Sequence, residues 1–103
     1  MSFRYAFTLS KTGEMVYLSH LDVMRLLARA CRRAGVPLAL TQGFSPRPRL
    51  RLERAVKLGQ AFDAEPGEMV LKDLVPPQEL GRRLRPALPE GIEIRDIAYI
   101  EER

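Results

Sequence analysis

The stretch Ser19 to Pro37, SHLDVMRLLARACRRAGVP, decides the fold. Ser19 can accept a hydrogen bond from a first-turn N–H, and Asp22, three residues on, suits the positive end of a helix dipole. The pair predicts a capping box in which Asp replaces the usual Glu. From there the spacing predicts a helix to Ala34, with Gly35 as its left-handed stop and Pro37 blocking continuation. At 100° per residue the helix separates into two faces. Leu21, Met24, Leu27, Ala28, Cys31 and Ala34 group on one side and are expected to face the core. Arg25, Arg29, Arg32 and Arg33, with Asp22, fill a sector roughly 100° wide on the other. Four guanidinium groups on one stripe are less self-neutralised than a solvated face where Glu and Lys alternate.

On the N-terminal side, Phe3 to Leu9 alternates and predicts a strand. Ser10-Lys11-Thr12-Gly13 marks a turn, and Glu14 to Leu18 a second short extended piece. On the C-terminal side, Val36 to Thr41 predicts a strand and Gln42 to Pro48 a loop, because Gly43, Pro46 and Pro48 forbid continuous ladder bonding. Arg49 to Val56 alternates again. Phe62 to Gly67 is expected to turn, Glu68 to Leu74 to form a strand, and Pro76-Pro77 to open a helix running to about Ala87. A last strand is expected from Ile92 to Ile100. Two helices among these strands predict an α+β domain, most simply a ferredoxin-like antiparallel sheet with both helices packed on one face.

A chain of 103 residues fits one domain spanning 1–103. Its single Cys31 excludes an internal disulfide framework and any Cys-based metal cluster. No apolar run approaches the ~18 residues of a membrane span, and the N-terminus lacks a signal-peptide core, so a cytoplasmic protein is expected. The formal net charge of +4 conceals an asymmetry. Residues 1–57 carry a balance of +8, residues 58–103 one of −4, and all but three of the bases are Arg. Guanidinium offers a planar fork for phosphate or carboxylate, which ammonium does not.

His20 is the sole imidazole and has no ligand constellation around it, so no metal is expected. It could move a proton or contact a phosphate beside the helix start, or simply stitch that start to the preceding strand. Ser19, His20 and Asp22 point in different directions on one helical turn and make no catalytic triad. Nucleotide-binding glycine loops and cluster motifs are absent from the sequence, and no cofactor is expected. The segment Thr41 to Arg51 is the most informative. It joins Gln42, the flexible Gly43, Phe44 and Ser45 to Arg47, Arg49 and Arg51, stiffened by two prolines. Stacking combined with Arg–phosphate contacts is how single-stranded or looped RNA is held, whereas a plainer alternative has Phe44 plugging the core.

Three blocks carry a resemblance to the radical-SAM-linked protein family, a bacterial domain of unknown function. Tyr17 to Arg25, continued by Arg29, Arg32, Arg33, Ala34 and Gly35, resembles its Ser-His-Leu-Asp segment. Gln42 to Pro48 resembles its Gly-Phe-x-Pro-x-Pro loop, and Leu88-Pro89-Glu90-Gly91 its Leu-Pro-x-Gly turn. The family domain usually continues past the position of Arg103, so the resemblance implies either a short member or the N-terminal part of a longer family domain. It implies an accessory or substrate-handling domain serving RNA or ribosome-related modification beside a radical-SAM enzyme, without implying that this domain holds the iron–sulfur cluster.

Three functions follow as expectations. The favoured one is a module without catalytic activity, in which Arg25, Arg29, Arg32, Arg33, Gln42, Phe44, Arg47, Arg49 and Arg51 bind RNA, transfer or ribosomal. In the second the same face docks a radical-SAM protein. The third is a metal-independent endoribonuclease using His20. No membrane partner is expected.

Overall fold

The computed structural model describes residues 1–102. Strand β1 (Phe3–Lys11) leads through a 3₁₀ turn (Gly13–Tyr17) into helix α1 (His20–Arg33). Strands β2 (Leu50–Leu52) and β3 (Phe62–Leu71) follow, then helix α2 (Pro77–Leu84) with a 3₁₀ extension (Arg85–Ala87), and strand β4 (Ile92–Glu102). The strands form one sheet in the order β2-β3-β1-β4, every pair antiparallel. This is the α+β architecture expected, and its βαββαβ succession is the split-βαβ pattern of ferredoxin-like sandwiches.

Alternation along β1 sends Tyr5, Phe7 and Leu9 to one face, where they meet Val23, Leu27 and Cys31 of α1 and Leu80 and Leu84 of α2. Tyr5 pins the approach to α2: its hydroxyl donates to the Val75 carbonyl (2.5 Å) and accepts from the Val75 N–H (2.9 Å). Arg4, Ala6 and Thr8 point to the other face, which no helix covers. The capping box forms as predicted: Ser19 Oγ accepts from Asp22 N–H and Asp22 Oδ2 accepts from Ser19 N–H, each at 3.2 Å.

Several boundaries differ from expectation. Helix α1 is rotated so that Val23, Leu27, Ala30 and Cys31 are buried, while Leu21 stays exposed and Ala28 half-buried. Apolar residues occupy more than half the helix circumference, so the core could select among them, but the arginines remain outside. Residues 13–17 coil into a 3₁₀ turn because the Lys11 ammonium gathers carbonyls from Val16 and Leu18. Val36 to Thr41 makes only isolated bridges, Leu38 with Leu71 and Leu40 with Pro48; Pro37 has no N–H to extend a ladder. Strand β2 is reduced to three residues.

The expected turn at 62–67 is instead the first half of β3. Pro66 is tolerated there because its carbonyl accepts from Glu53 N–H (2.8 Å), just past the end of β2. In an antiparallel ladder a residue's N and O point the same way, so the missing donor faces a frayed edge and not β1. Strand β4 is an edge strand with register irregularities opposite Arg4/Tyr5 and Ala6/Thr8. At the second, Asp96 takes φ +54° and its carboxylate accepts from the Thr8 hydroxyl (2.9 Å). Bulges of this kind twist an edge away from further pairing.

Candidate polyanion-binding surface

The capping box fixes where α1 begins, and thereby the direction of its exposed stripe. Arg25, Arg29, Arg32 and Arg33 all lie exposed. From Val23 to Leu52 the chain contains seven arginines and no acidic residue. The consequence shows in the ion pairs. Arg4, Arg51, Arg54, Arg82, Arg83 and Arg95 each sit beside a carboxylate. Among the described residues, Arg25, Arg29, Arg32, Arg33, Arg47 and Arg49 form no such ion pair. Arg25 is near enough to Asp22 to help hold that carboxyl below its usual range, after the two Ser19 hydrogen bonds that lower it most.

The stripe is a ridge between two grooves. On one flank Arg29 and Arg33 border a depression of about 330 Å³ shared with Pro86 and Leu88. On the other, Arg32 and Ala28 face Leu40 and Pro48 across a groove of about 240 Å³. Those last two residues belong to a hairpin. Leu40 bridges Pro48, Thr41 N–H donates to Arg47 O (2.8 Å), and Arg47 N–H donates to Thr41 Oγ1 (3.0 Å). Gln42 to Pro46 form its exposed tip, and Phe44 is 108% exposed. The idea that Phe44 plugs the core is therefore overturned. The hairpin projects from the β2 edge because Ala39 N–H and Arg49 O bond Val70 of β3 (2.8 and 2.9 Å).

The two arginine sets meet without forming one flat patch. Arg32 and the hairpin share the groove beside α1, whereas Arg49 and Arg51 line a separate depression with Arg4 and Glu68. Cationic surface thus wraps around the β2 edge. Arg51 is the exception among the proposed residues, since Glu68 holds it at 3.2 Å. On the helix-free face, charges alternate across all four strands as Arg51, Glu68, Arg4 and Glu101. That ladder neutralises itself, and the positions Ala6 and Thr8 between its members offer no aromatic ring.

His20 lies at the far end of α1 from the hairpin. Arg32, beside the hairpin, is 12 residues further on, or ~18 Å along the axis. The hairpin base at Leu40 and Pro48 therefore sits beside the second half of α1, whereas His20 opens its first turn. The imidazole is half-buried and its Nδ1 accepts from Val56 N–H (3.2 Å), which ties residues 53–57 to the helix start. Beside it sits a residue the sequence had assigned to a turn. Lys11 is fully buried, and its Nζ donates to the carbonyls of Val16 (3.1 Å), Leu18 (2.9 Å) and Lys57 (2.9 Å). Desolvation lowers its pKa from the ordinary lysine value. The clue in the sequence was the β1 alternation, which places Lys11 in phase with Leu9. Cys31 packs in the core, and burial pushes its thiol up to about 12, far from a reactive thiolate.

No cluster of three or more His, Cys, Asp or Glu side chains suited to a metal occurs among the described residues. No helix among them is long and apolar enough to cross a membrane. Residues 4–103 match the family described as uncharacterised proteins conserved in bacteria (DUF2344), and the chain belongs to that family. Neither a curated protein nor a solved structure matches it significantly.

Proposed function

We propose that this domain is a binding module without chemistry of its own, and that its ligand is RNA. The observation that carries this reading is the six arginines of α1 and the hairpin that stand outside every ion pair, when most others in the chain are neutralised. Leaving like charges unpaired on one surface costs stability through repulsion, and a polyanion removes that cost on binding. Guanidinium forks suit phosphate oxygens, and the fully exposed Phe44 ring beside them suits a base. The neutralised, ring-free sheet face lacks both features, which favours α1 and the hairpin as the RNA-facing side.

The endoribonuclease alternative loses its support from His20, whose Nδ1 is spoken for by Val56 and which opens α1 while the hairpin groove lies beside the helix's second half. The resemblance of residues 17–25, 42–48 and 88–91 to radical-SAM-linked proteins gives the module an accessory role, presenting RNA to a radical-SAM enzyme. That part of the proposal rests on the sequence motifs.

The test is the salt dependence of RNA binding in an Arg29→Ala/Arg33→Ala variant. Each lost phosphate contact should flatten the log–log slope by about 0.7 for a single strand, so the double variant loses about 1.4. Arg95→Ala, at a residue paired with Glu93 on the opposite edge, should leave the slope unchanged. Equal effects from the two variants would refute the assignment.

A further inference from the structure

The groove between α1 and the hairpin has a composition that bulk phosphate binding does not use. Its floor is apolar, built from Ala28, Leu38, Leu40 and Pro48, and its rim carries Arg32 and Lys72. Neither cation is in an ion pair among the described residues. At about 240 Å³ it is smaller than the ~300–1,000 Å³ typical of drug-sized ligands, so one flat ring system is a sensible occupant. Leu40 is 53% exposed in it, an apolar side chain left uncovered beside two cations. Phe44 stands exposed at the tip of the same hairpin, which is held by the Thr41–Arg47 bonds and by Pro46 and Pro48, with Gly43 at φ +128° supplying the bend.

From this juxtaposition we infer that the groove is a subsite for a single unpaired nucleotide. Its base lies on the Leu40–Pro48 floor, its phosphates meet Arg32 and Lys72, and a neighbouring base stacks on Phe44. The inference rests on the RNA-binding reading and narrows the ligand to looped or single-stranded RNA. A duplex keeps its bases stacked inside and offers no face to either the floor or the ring. An acidic protein partner would also satisfy the charges. The hairpin tip, however, presents one ring among Gln42, Gly43, Ser45 and Pro46, whereas protein hot spots gather several buried anchors.

The test compares the affinity of the whole chain for a labelled RNA hairpin with an open loop and for a blunt RNA duplex of equal phosphate count, by fluorescence anisotropy at low salt. The loop RNA should bind about tenfold more tightly, and Phe44→Ala should remove most of that preference without changing duplex binding. Phe44→Tyr should retain it. Leu40→Arg gives opposite signs: its added cation strengthens duplex binding while its bulk fills the groove and weakens loop preference. All three variants alter exposed side chains, so folding is not at stake. Equal affinity for the two RNAs, or an unchanged preference in Phe44→Ala, overturns the subsite and leaves RNA binding standing. Displacement of loop RNA by polyglutamate of matched charge as readily as by oligouridine overturns it in favour of a protein surface. Absence of salt-dependent binding to either RNA overturns the functional reading and the subsite together.

Discussion

Lys11 shows how much a single buried charge can organise. Its three N–H groups each find a carbonyl, and through them β1, the 3₁₀ turn and Lys57 are fastened at one point. Lys11→Met removes the donors but leaves three acceptors facing an apolar chain. Each unsatisfied buried group costs ~1–3 kcal/mol, and partial rehydration makes a loss of about 2–4 kcal/mol in urea unfolding the expected outcome. The pH dependence has a definite sign. Desolvation lowers the folded pKa below 10.5, so between the folded value and 10.5 the unfolded chain binds more protons. Wild-type stability should therefore rise with pH in that window relative to Lys11→Met. A parallel pair of pH profiles would contradict the assignment. Next to it, His20 acts as a hydrogen-bond acceptor to the backbone. His20→Ala should lower stability by about 1 kcal/mol and leave RNA affinity unchanged, since the bond lost is local. Reduced affinity with unchanged stability would place His20 in the binding surface after all.

At the level of elements, both helices begin with a carboxylate held below its ordinary pKa. Ser19 lowers Asp22 through its hydroxyl and N–H, and Arg82 then Arg83 lower Glu79. Each therefore adds stability that is complete above its unfolded value, 3.8 and 4.5 respectively, and is lost as pH falls through the lower folded value. Ser19→Ala should cost about 1 kcal/mol at neutral pH and shrink the acid-dependent loss at α1, read by circular dichroism during acid titration. Gly67 in β3 is a tighter constraint. A Cβ there would come within 2.6 Å of Phe7 Cζ and 2.8 Å of the Arg51 carbonyl. Gly67→Ala should destabilise by about 1–3 kcal/mol as the Phe7 ring is forced to move. A Tm equal to wild type would show that the ring yields freely.

These elements also mark how far the sequence could be read. The capping box, α1, the burial of Cys31 and the looping of Gln42 to Pro48 were all legible because each follows from local chemistry. The first half of strand β3 was not, since Pro66 and Gly67 read as a turn until the frayed end of β2 supplies the physical reason they are tolerated. Lys11 was missed for a related cause: a lysine beside Ser10 and Thr12 reads as solvated, and only the folded chain supplies its three carbonyls. The arginine stripe was visible as periodicity. That its members have no acidic partner depends on which side chains the sheet brings together, and the sequence order alone does not contain that.

For the molecule as a whole, charge is partitioned between two surfaces. The open sheet face pairs Arg51, Glu68, Arg4 and Glu101 into a neutral ladder, while α1 and the hairpin keep six guanidinium groups unpaired. The partition concentrates attraction for a polyanion on α1, the hairpin and the β2 edge, and gives the domain an orientation on its ligand. Glu68→Gln breaks the ladder and frees Arg51 beside Arg49, so RNA binding should strengthen modestly while stability falls. It would strip Arg4 and Arg51 of a shared partner and is expected to cost about 1 kcal/mol, measured by urea unfolding. The measurement that bears most directly on the whole account is the affinity of the intact chain for single-stranded RNA between ~50 and ~200 mM salt. Six phosphate contacts at about 0.7 each give a slope of about 4, which over a fourfold change in salt predicts a weakening of roughly 300-fold. An affinity that stays the same across it would contradict the central claim that these unpaired arginines grip phosphate.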